Sequence, residues 1–312
     1  MATLGIDVGG TNARAAVVDG QGQILSAARI ALTDRSPEAV VEAIAQAAEE
    51  AIGNSGIPVH GCGIGVAGQL IGETGVIAVA PNLGWRNVPI RELLNRALGR
   101  SVRVVNDLTA AAWGELKGGA GRGAKDVLVV FAGSGVGSAI ILHGKLHTGA
   151  SGVAGEIGHV KVEPDGRRCG CGSNGCLEAY AGGHNLIAQM KELVQAGQGA
   201  ALLAHVGGDA SHLNPAVLEA VAVAGDPAAS ALFERTARYL AMTVANQVTM
   251  LNPERLILGG GVLSHTPLLR QRIAEGIGRW SSETSRNTVQ VVSAALGDDS
   301  GIIGAALLAD LA

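Results

Sequence analysis

The chain has 312 residues, 47% of them hydrophobic, and a formal net charge of -4 from 23 basic and 27 acidic side chains. This length favours two domains over one, and the lack of any basic block argues against nucleic acid or an anionic membrane as a partner. The apolar stretch 127–142 is interrupted by glycines, so it falls short of the ~18 apolar residues that a membrane helix requires.

The first third of the chain alternates between strand and helix patterns. Strands are predicted at 4–8, 13–18, 24–30, 62–66 and 102–105, and helices at 37–52, 88–98 and 109–117. The glycine turn 9–12 joins the first two strands, as in a hairpin. Ser36 and Pro37 supply an N-cap and a first helical residue. This alternation predicts an α/β layer structure.

A glycine-rich linker follows at 118–123, and the first pattern then returns. A strand at 127–132, a glycine turn at 133–137 and a strand at 138–142 repeat the design of residues 4–18, which indicates a structural duplication. A third glycine element, 258–262, follows a predicted strand at 255–258. We place a domain boundary at the linker.

The two glycine turns are candidate phosphate sites, because unhindered backbone N–H groups form anion-binding nests. Neither turn has the spacing of a G-x-G-x-x-G or a P-loop motif, and an isolated turn of this kind can equally be a plain hairpin or a bulge. Asp7 stands directly before the first turn. Its carboxylate can hold a hydrated Mg²⁺ beside phosphates or merely order the turn.

Four potential metal ligands lie within eighteen positions: His159, Cys169, Cys171 and Cys176. Imidazole and thiolates at this spacing can close a tetrahedral zinc shell, and a closed shell indicates a structural zinc. Disulfides are the alternative. However, Cys169 and Cys171 are poorly spaced to bridge, and the start of the sequence lacks a secretory pattern, so we expect a reducing cytoplasm.

Two acids accompany these ligands without belonging to the set. Glu156 precedes His159, and Glu178 follows Cys176. The metal would therefore fix a loop that carries two carboxylates, which suits a polyhydroxylated ligand. The remaining cysteine, Cys62, lies in an apolar strand-like run and is interpreted as a small buried hydrophobe.

The sequence resembles the ROK family of sugar kinases, repressors and open reading frames. The motifs that carry the resemblance are, in order, Asp7-Val8-Gly9-Gly10-Thr11, Asn106-Asp107, Gly133-Ser134-Gly135-Val136-Gly137, Ala154-Gly155-Glu156-Ile157-Gly158-His159, the cysteine motif ending in Cys176-Leu177-Glu178, and Asn252-Pro253-Glu254 with Leu258-Gly259-Gly260-Gly261-Val262. The resemblance implies a two-domain, actin-like ATPase fold of the hexokinase, ribonuclease H-like type with a duplicated core. It implies a small domain at 1–117 with the C-terminal helix 300–312, and a large domain at 118–299.

The resemblance also implies roles for individual residues. It makes Asp107 the general base, and it makes His159, Cys169, Cys171 and Cys176 the ligands of a structural Zn²⁺. The implied sugar-binding residues are Gly68, Asn82, Asn106, Asp107, Glu156, His159 and Glu178. The implied residues for ATP with Mg²⁺ are Asp7, Gly9, Gly10, Thr11, Asn12, Gly133, Ser134, Gly135, Gly259, Gly260 and Gly261.

Some positions depart from the family pattern or allow another interpretation. Val105 and Leu108 flank the base where the family often has Glu and Ala, Ser134 replaces the usual Thr, and Ala67 replaces a common Pro. The Asn106-Asp107 pair can also be a simple N-cap. A carboxylate at the carboxyl end of a strand, however, is where α/β proteins place ligands.

The expected activity is ATP-dependent phosphorylation of a hexose, with D-glucose giving glucose 6-phosphate. The alternatives are a kinase for N-acetylmannosamine, N-acetylglucosamine, fructose or mannose, a non-catalytic sugar-sensing regulator, and a zinc-dependent interaction module. Family regulators carry a helix-turn-helix domain before the first phosphate motif, for which Asp7 leaves no room. A homodimer is the family's usual state, and the residues do not decide between ATP and polyphosphate as donor.

Overall fold

The computed structural model describes residues 1–309. Its strands are β1 (Ala2–Val8), β2 (Asn12–Asp19), β3 (Ile24–Ala31), β4 (Val59–Val66), β5 (Gln69–Leu70), β6 (Ile77–Ala80), β7 (Trp85–Val88), β8 (Arg103–Asn106), β9 (Val127–Ala132), β10 (Val136–Leu142), β11 (Lys145–His147), β12 (Arg255–Gly259) and β13 (Gln290–Ser293). Its helices are α1 (Pro37–Ser55), α2 (Ile90–Leu98), α3 (Asp107–Gly118), α4 (Glu178–Ala181), α5 (Gly183–Gln195), α6 (Ala200–His205), α7 (Pro215–Val223), α8 (Pro227–Leu251), α9 (Gly261–His265), α10 (Pro267–Trp280), α11 (Glu283–Thr288) and α12 (Ser300–Ala309).

These elements form two compact units. The first unit comprises Met1–Lys125, Ala139–Gly155 and the described chain from Ala294 onward, and the second comprises Asp126–Ser138 and Glu156–Ser293. The assignment of 1–117 with 300–312, and of 118–299, as two domains remains a prediction. The last positions of the predicted returning helix, 310–312, lie outside the described residues.

The first unit contains a five-stranded sheet in the order β3-β2-β1-β4-β8. Strand β1 is antiparallel to β2 and parallel to β4, and β4 is parallel to β8. Leu4 and Ile6 belong to a core cluster that includes Ile44 of α1. Ala16 and Val18 belong to a second cluster with residues of α12. Helices therefore cover both faces of this sheet, which lets side chains of both orientations along β1 and β2 be buried.

Helix α12 lies unusually close to its neighbours, and glycines make this possible. A Cβ atom at Gly5 of β1 or at Gly63 of β4 would overlap a backbone carbonyl oxygen of α12. A Cβ atom at Gly304 of α12 would overlap the carbonyl oxygen of Ala110 in α3. The absence of a side chain at these positions is therefore a packing requirement.

The second unit repeats the strand arrangement of the first. Strands β9 and β13 both pair in parallel with β12, as β1 and β8 both pair with β4. A glycine turn follows β9 as another follows β1, and β10 forms an antiparallel pair with β11 as β2 does with β3. The structure thus confirms the duplication that the sequence predicts.

Most of the predicted boundaries agree with the structure, and two helix starts differ. The α1 cap forms as expected, with the Ser36 side chain accepting from the Ala39 N–H. The helix predicted from position 88 begins instead at Ile90, because Val88 is the last residue of β7. The helix predicted from Thr109 begins at Asp107, because Asn106 caps it.

A small three-stranded sheet, in the order β5-β6-β7, is also absent from the predictions. Its strands are two to four residues long, too short to show a two-residue periodicity. Among the described residues no single helix is long and apolar enough to cross a membrane. The pair α7 and α8 passes that test together by length and composition, with a 119° bend between them.

Candidate active site

The first glycine turn lies between β1 and β2 and is closed by backbone hydrogen bonds. The Gly9 N–H donates to the Asn12 carbonyl over 3.1 Å, and the Leu32 N–H donates to the Thr11 carbonyl over 2.8 Å. A Cβ atom at Gly9 would meet nothing within 4 Å, whereas one at Gly10 would lie 3.4 Å from the carbonyl oxygen of Asn82. The turn therefore has open space on one side and contacts a predicted sugar-binding residue on the other.

Asp7 is the next-to-last residue of β1 and is largely buried beside other charged groups. In the hairpin register it pairs with Arg14, whose guanidinium forms an ion pair with Asp299 and donates to the Asp298 carbonyl over 2.8 Å. Burial, together with the nearby Asp107 carboxylate, raises the pKa of Asp7 to about 6, and Arg14 opposes this shift. Asp7 thus occupies a position that disfavours its charge unless a cation is added.

The predicted base, Asp107, is the first residue of α3 at the carboxyl end of β8. Its Oδ1 accepts the Leu108 N–H over 2.9 Å. The preceding residue, Asn106, is the N-cap of α3, and its Oδ1 accepts from the N–H groups of Leu108 and Thr109 at 2.9 and 3.3 Å. The alternative interpretation of Asn106 as a cap is therefore confirmed, and the cap fixes where Asp107 starts the helix.

Asn106 also connects to a second predicted sugar-binding residue. Its Nδ2 donates to the Gly68 carbonyl over 3.0 Å. A Cβ atom at Gly68 would lie 2.9 Å from the Val79 carbonyl oxygen, so this position requires glycine. The first unit therefore brings Asn106 and Gly68 into direct contact, although 38 positions separate them.

The second glycine turn, between β9 and β10, receives hydrogen bonds from the start of α5. The N–H groups of Gly183 and His184 donate to the carbonyls of Gly133 and Ser134 over 2.9 and 3.1 Å. The third glycine element lies alongside, because a Cβ atom at Gly260 would lie 2.5 Å from the Ala132 carbonyl oxygen. Gly260 has a φ of 85°, which favours glycine.

The structure brings the four predicted metal ligands together. One ligand atom from each of His159, Cys169, Cys171 and Cys176 lies within 4.8 Å of every other. The Nδ1 of His159 is 3.8 Å from the Cys169 sulfur, and the sulfurs of Cys171 and Cys176 are 3.7 Å apart. Sulfur and nitrogen ligands about 2.0 to 2.3 Å from zinc would be separated by distances close to these.

Charges around the cluster are arranged to suit a metal. Burial raises the pKa of the Cys169 thiol to about 12, whereas the Ser173 backbone N–H lowers the pKa of Cys171. Lys161 places its Nζ 3.0 Å from the Cys176 sulfur. Three thiolates around Zn²⁺ carry one net negative charge, and this ammonium group offsets it.

Residues 156–178 form the loop that carries the four metal ligands, here called the metal loop. Its two acids, Glu156 and Glu178, have separate environments. Glu156 Oε2 lies 3.6 Å from His159 Nε2, the ring nitrogen on the side away from Cys169. Such a carboxylate–histidine pair orients a metal-bound imidazole. The Oε2 of Glu178 accepts the Val136 N–H over 3.0 Å, and its Oε1 lies 4.0 Å from the Cys169 sulfur. Glu178 is therefore shared between the metal cluster and the second glycine turn.

Arg14 and Lys161 lie in the site but are not among the residues predicted from the sequence. A signal for Arg14 was available, because the hairpin turn at 9–12 pairs position 7 with position 14. The hydrogen bond between Lys161 and Cys176 has no signal of this kind, because these residues meet across an isolated β-bridge.

Comparisons with known proteins extend over nearly the entire chain. The model of the ROK family matches residues 3–311. A glucokinase of Streptomyces coelicolor is 38% identical over 310 residues, 98% of this chain and 97% of the relative. A glucokinase of Thermotoga maritima is 33% identical over 309 residues, 97% of this chain and 95% of the relative.

A solved structure of similar fold is the ROK family glucokinase from Streptomyces griseus in complex with glucose and AMPPNP. It superposes with a TM-score of 0.84 at 38% identity and covers all of both chains. This similarity, together with the repeated strand arrangement, confirms the predicted α/β fold of the actin-like ATPase class with a duplicated core. The chain belongs to the ROK family.

Proposed function

We propose that this protein is an ATP-dependent hexose kinase that transfers the γ-phosphoryl group of ATP to the 6-hydroxyl of D-glucose. The observation that carries the proposal is the full-length similarity to the S. griseus glucokinase, whose structure holds glucose and AMPPNP. AMPPNP has the shape of ATP. The S. griseus enzyme therefore binds a hexose together with an analogue of a nucleoside triphosphate.

We assign Asp107 as the general base. Phosphoryl transfer passes through a loose transition state, so the protein mainly positions the reactants and offsets charge. A carboxylate at the start of a helix, fixed by the Leu108 N–H, is suited to accept the proton of an attacking hydroxyl. Asn106 and Gly68, joined by a hydrogen bond, and Asn82 are the proposed sugar contacts beside it.

Asp7 is the proposed residue for Mg²⁺ bound with ATP. Its pKa is raised because its charge is buried near Asp107. A hydrated divalent cation beside Asp7 offsets both unfavourable effects, since bound cations are the largest local charges in such sites. Glycine turns 9–12 and 133–135 and the glycines 259–261 are the proposed backbone contacts for the nucleotide.

The chemistry of the cluster fits a structural zinc held by His159, Cys169, Cys171 and Cys176. Four N and S ligands close the coordination shell, so the metal supplies rigidity and offers no open position for catalysis. We propose that Glu156, His159 and Glu178, on or beside the loop, bind sugar hydroxyls. The proposed homodimer rests on the family resemblance.

The test is sugar-dependent ADP release with Mg-ATP across glucose, mannose, fructose, N-acetylglucosamine and N-acetylmannosamine, with a no-sugar control. We expect glucose to give the highest kcat/KM. Selective turnover of another hexose would keep the kinase assignment and change the acceptor. No stimulation by any sugar, combined with sugar binding, would instead support a sensor. Replacing ATP by polyphosphate in the same assay identifies the donor.

A further inference from the structure

The second glycine turn is attached to the metal loop through Glu178. This residue begins α4 two positions after the ligand Cys176. Its Oε2 accepts the N–H of Val136, the first residue of β10, over 3.0 Å. A Cβ atom at Gly135 would overlap the same carboxylate oxygen. The carboxylate is therefore packed against the backbone of the turn as well as hydrogen-bonded to it.

A second contact reaches the turn from the segment of the metal loop that contains the ligand His159. Gly158 precedes the ligand His159, and a Cβ atom at Gly158 would overlap the Val136 carbonyl oxygen. The same atom would lie 3.5 Å from the Cβ of Glu178. The segment with His159 and the segment with Cys176 thus meet at one residue of the turn, Val136, at its carbonyl oxygen and at its N–H.

Part of the metal loop is held by hydrogen bonds that involve no metal. The Arg167 N–H donates to the Tyr180 hydroxyl over 2.7 Å, and the Tyr239 hydroxyl donates to Glu163 over 3.0 Å. The ligand segments near the turn have a different support. Cys169 and Cys176 join Tyr180 in a small apolar cluster, and one ligand atom from each of His159, Cys169, Cys171 and Cys176 lies within 4.8 Å of every other. A metal bound by these four atoms would cross-link the ligand segments and hold them at a fixed separation.

We infer that the metal loop is the support of the second glycine turn, with Glu178 and Gly158 as positioning residues, so that metal occupancy sets nucleotide affinity as well as sugar affinity. The inference rests on the proposed function, because it takes the nucleotide to be the ligand of this turn. It extends that function, in which the zinc serves only the sugar site.

Two alanine variants of the same turn test the mechanical connection. Gly135→Ala pushes the Glu178 carboxylate, whereas the nearest atom to a Cβ at Gly133 is the Gly261 nitrogen at 3.9 Å. Neither glycine has a positive φ, so alanine is allowed at both. We expect zinc release from the loaded protein to a colorimetric chelator to be about tenfold faster in Gly135→Ala, and unchanged in Gly133→Ala. Equal release rates in the two variants would overturn the inference.

Nucleotide affinity distinguishes a role of Glu178 in positioning the second glycine turn from a purely structural role. Glu178→Ala leaves the Val136 N–H without its acceptor, and losing such a bond corresponds to about a tenfold weaker affinity. Glu178→Gln keeps an acceptor oxygen and should stay within about threefold of the wild type. Calorimetric titration of the zinc-loaded proteins with Mg-AMPPNP, without sugar, measures this difference.

The outcomes separate this inference from the proposed function. Weaker AMPPNP binding in Glu178→Ala, with recovery in Glu178→Gln, supports the inference. Loss of hexose binding alone, with AMPPNP binding unchanged, overturns it while the kinase assignment stands. If Glu178→Ala fails to fold, the zinc-release rates of Gly135→Ala and Gly133→Ala decide the inference instead. A wild-type protein that turns over no sugar overturns the proposed function, and the zinc-release rates still decide whether the loop supports the turn.

Discussion

The two glycine turns follow the same strand pattern but are supported in different ways. The first turn is closed by the Gly9–Asn12 hydrogen bond and by a hydrogen bond from Leu32, the residue directly after β3. The second accepts hydrogen bonds from α5 and donates one to Glu178. A duplicated pattern thus retains the backbone of the turn, whereas the groups that hold it in place differ.

Electrostatics differ between the two turns as well. Asp7 and Asp107 lie near each other in the first unit, and Asp7 is disfavoured as an anion there. In the second unit the groups next to the turn are Glu178 and the metal loop, with Lys161 beside a cysteine. The first region is therefore arranged around two acids that favour a cation, and the second around a loop that a metal makes rigid.

Removing the carboxylate of Asp107 in the first region should reduce activity most. Asp107→Asn keeps the shape and removes the base, and we expect kcat to fall by a factor on the order of 10² or more with hexose affinity largely retained. ADP release and calorimetric titration with glucose measure the two quantities. Glu50→Gln, an exposed change on α1, is the control. Near-native turnover in Asp107→Asn would remove Asp107 from the catalytic role.

The packing of α12 against α3 in the first unit should have the next largest effect. Gly304→Ala places a methyl group where the Ala110 carbonyl oxygen lies, and such overpacking should lower the free energy of unfolding by about 3 kcal/mol. Gly53→Ala is the matched control. Gly53 is an exposed position of α1 where a Cβ atom would meet nothing within 4 Å, and the change should raise stability by about 0.5–1 kcal/mol. Urea unfolding measures both, and equal stabilities would show that α12 can shift at no cost.

Asp7 gives a pH-dependent test of the same region. Its pKa in the fold is about 6, above its ordinary 3.8, so the folded state binds this proton more tightly than the unfolded state. Its contribution to stability is therefore unfavourable above pH 6 and disappears as the pH falls below 3.8. We expect Asp7→Asn to unfold at a higher temperature at pH 8, by the equivalent of about 1–2 kcal/mol, with activity lost.

The same Asp7→Asn variant at pH 4 is the control, because both side chains are then nearly neutral in the fold. A stability gain of equal size at pH 4 and pH 8 would show that burial of the charge is not its cause. Magnesium without nucleotide should stabilise the wild type at pH 8 and leave the variant unchanged, which separates the cation from the carboxylate.

Much of this fold could be predicted from local signals. The Ser36 cap, the hairpin at 9–12 and the repeat of a strand, a glycine turn and a strand follow from residue type and spacing, and all are present in the structure. The four metal ligands come together as their spacing predicts. A cap, a turn and a ligand spacing are each determined within a few residues, so the sequence contains them directly.

Other features depend on contacts between distant segments and have no local signal. For Asn106 the sequence is compatible with an N-cap and with a sugar contact, and in the structure Asn106 is an N-cap that also donates a hydrogen bond to the Gly68 carbonyl. The sharing of Glu178 between the second turn and the metal cluster joins residues 42 positions apart. The catalytic and binding roles of these residues remain predictions.

Loss of a metal ligand in the second region should have a smaller effect, on zinc content and on KM. Cys171 is an exposed ligand, so Cys171→Ser removes a thiolate without opening a cavity, and Cys62→Ala, away from the metal, is the control. We expect zinc content to fall and the KM for hexose to rise about tenfold, the scale of losing a structural metal contact. A metal-free variant with unchanged hexose KM would show that the loop does not shape the sugar site.

If the loop supports only the sugar site, the KM for ATP stays constant. If it supports the second turn, both constants rise together, while Asp107→Asn in the first region lowers kcat alone.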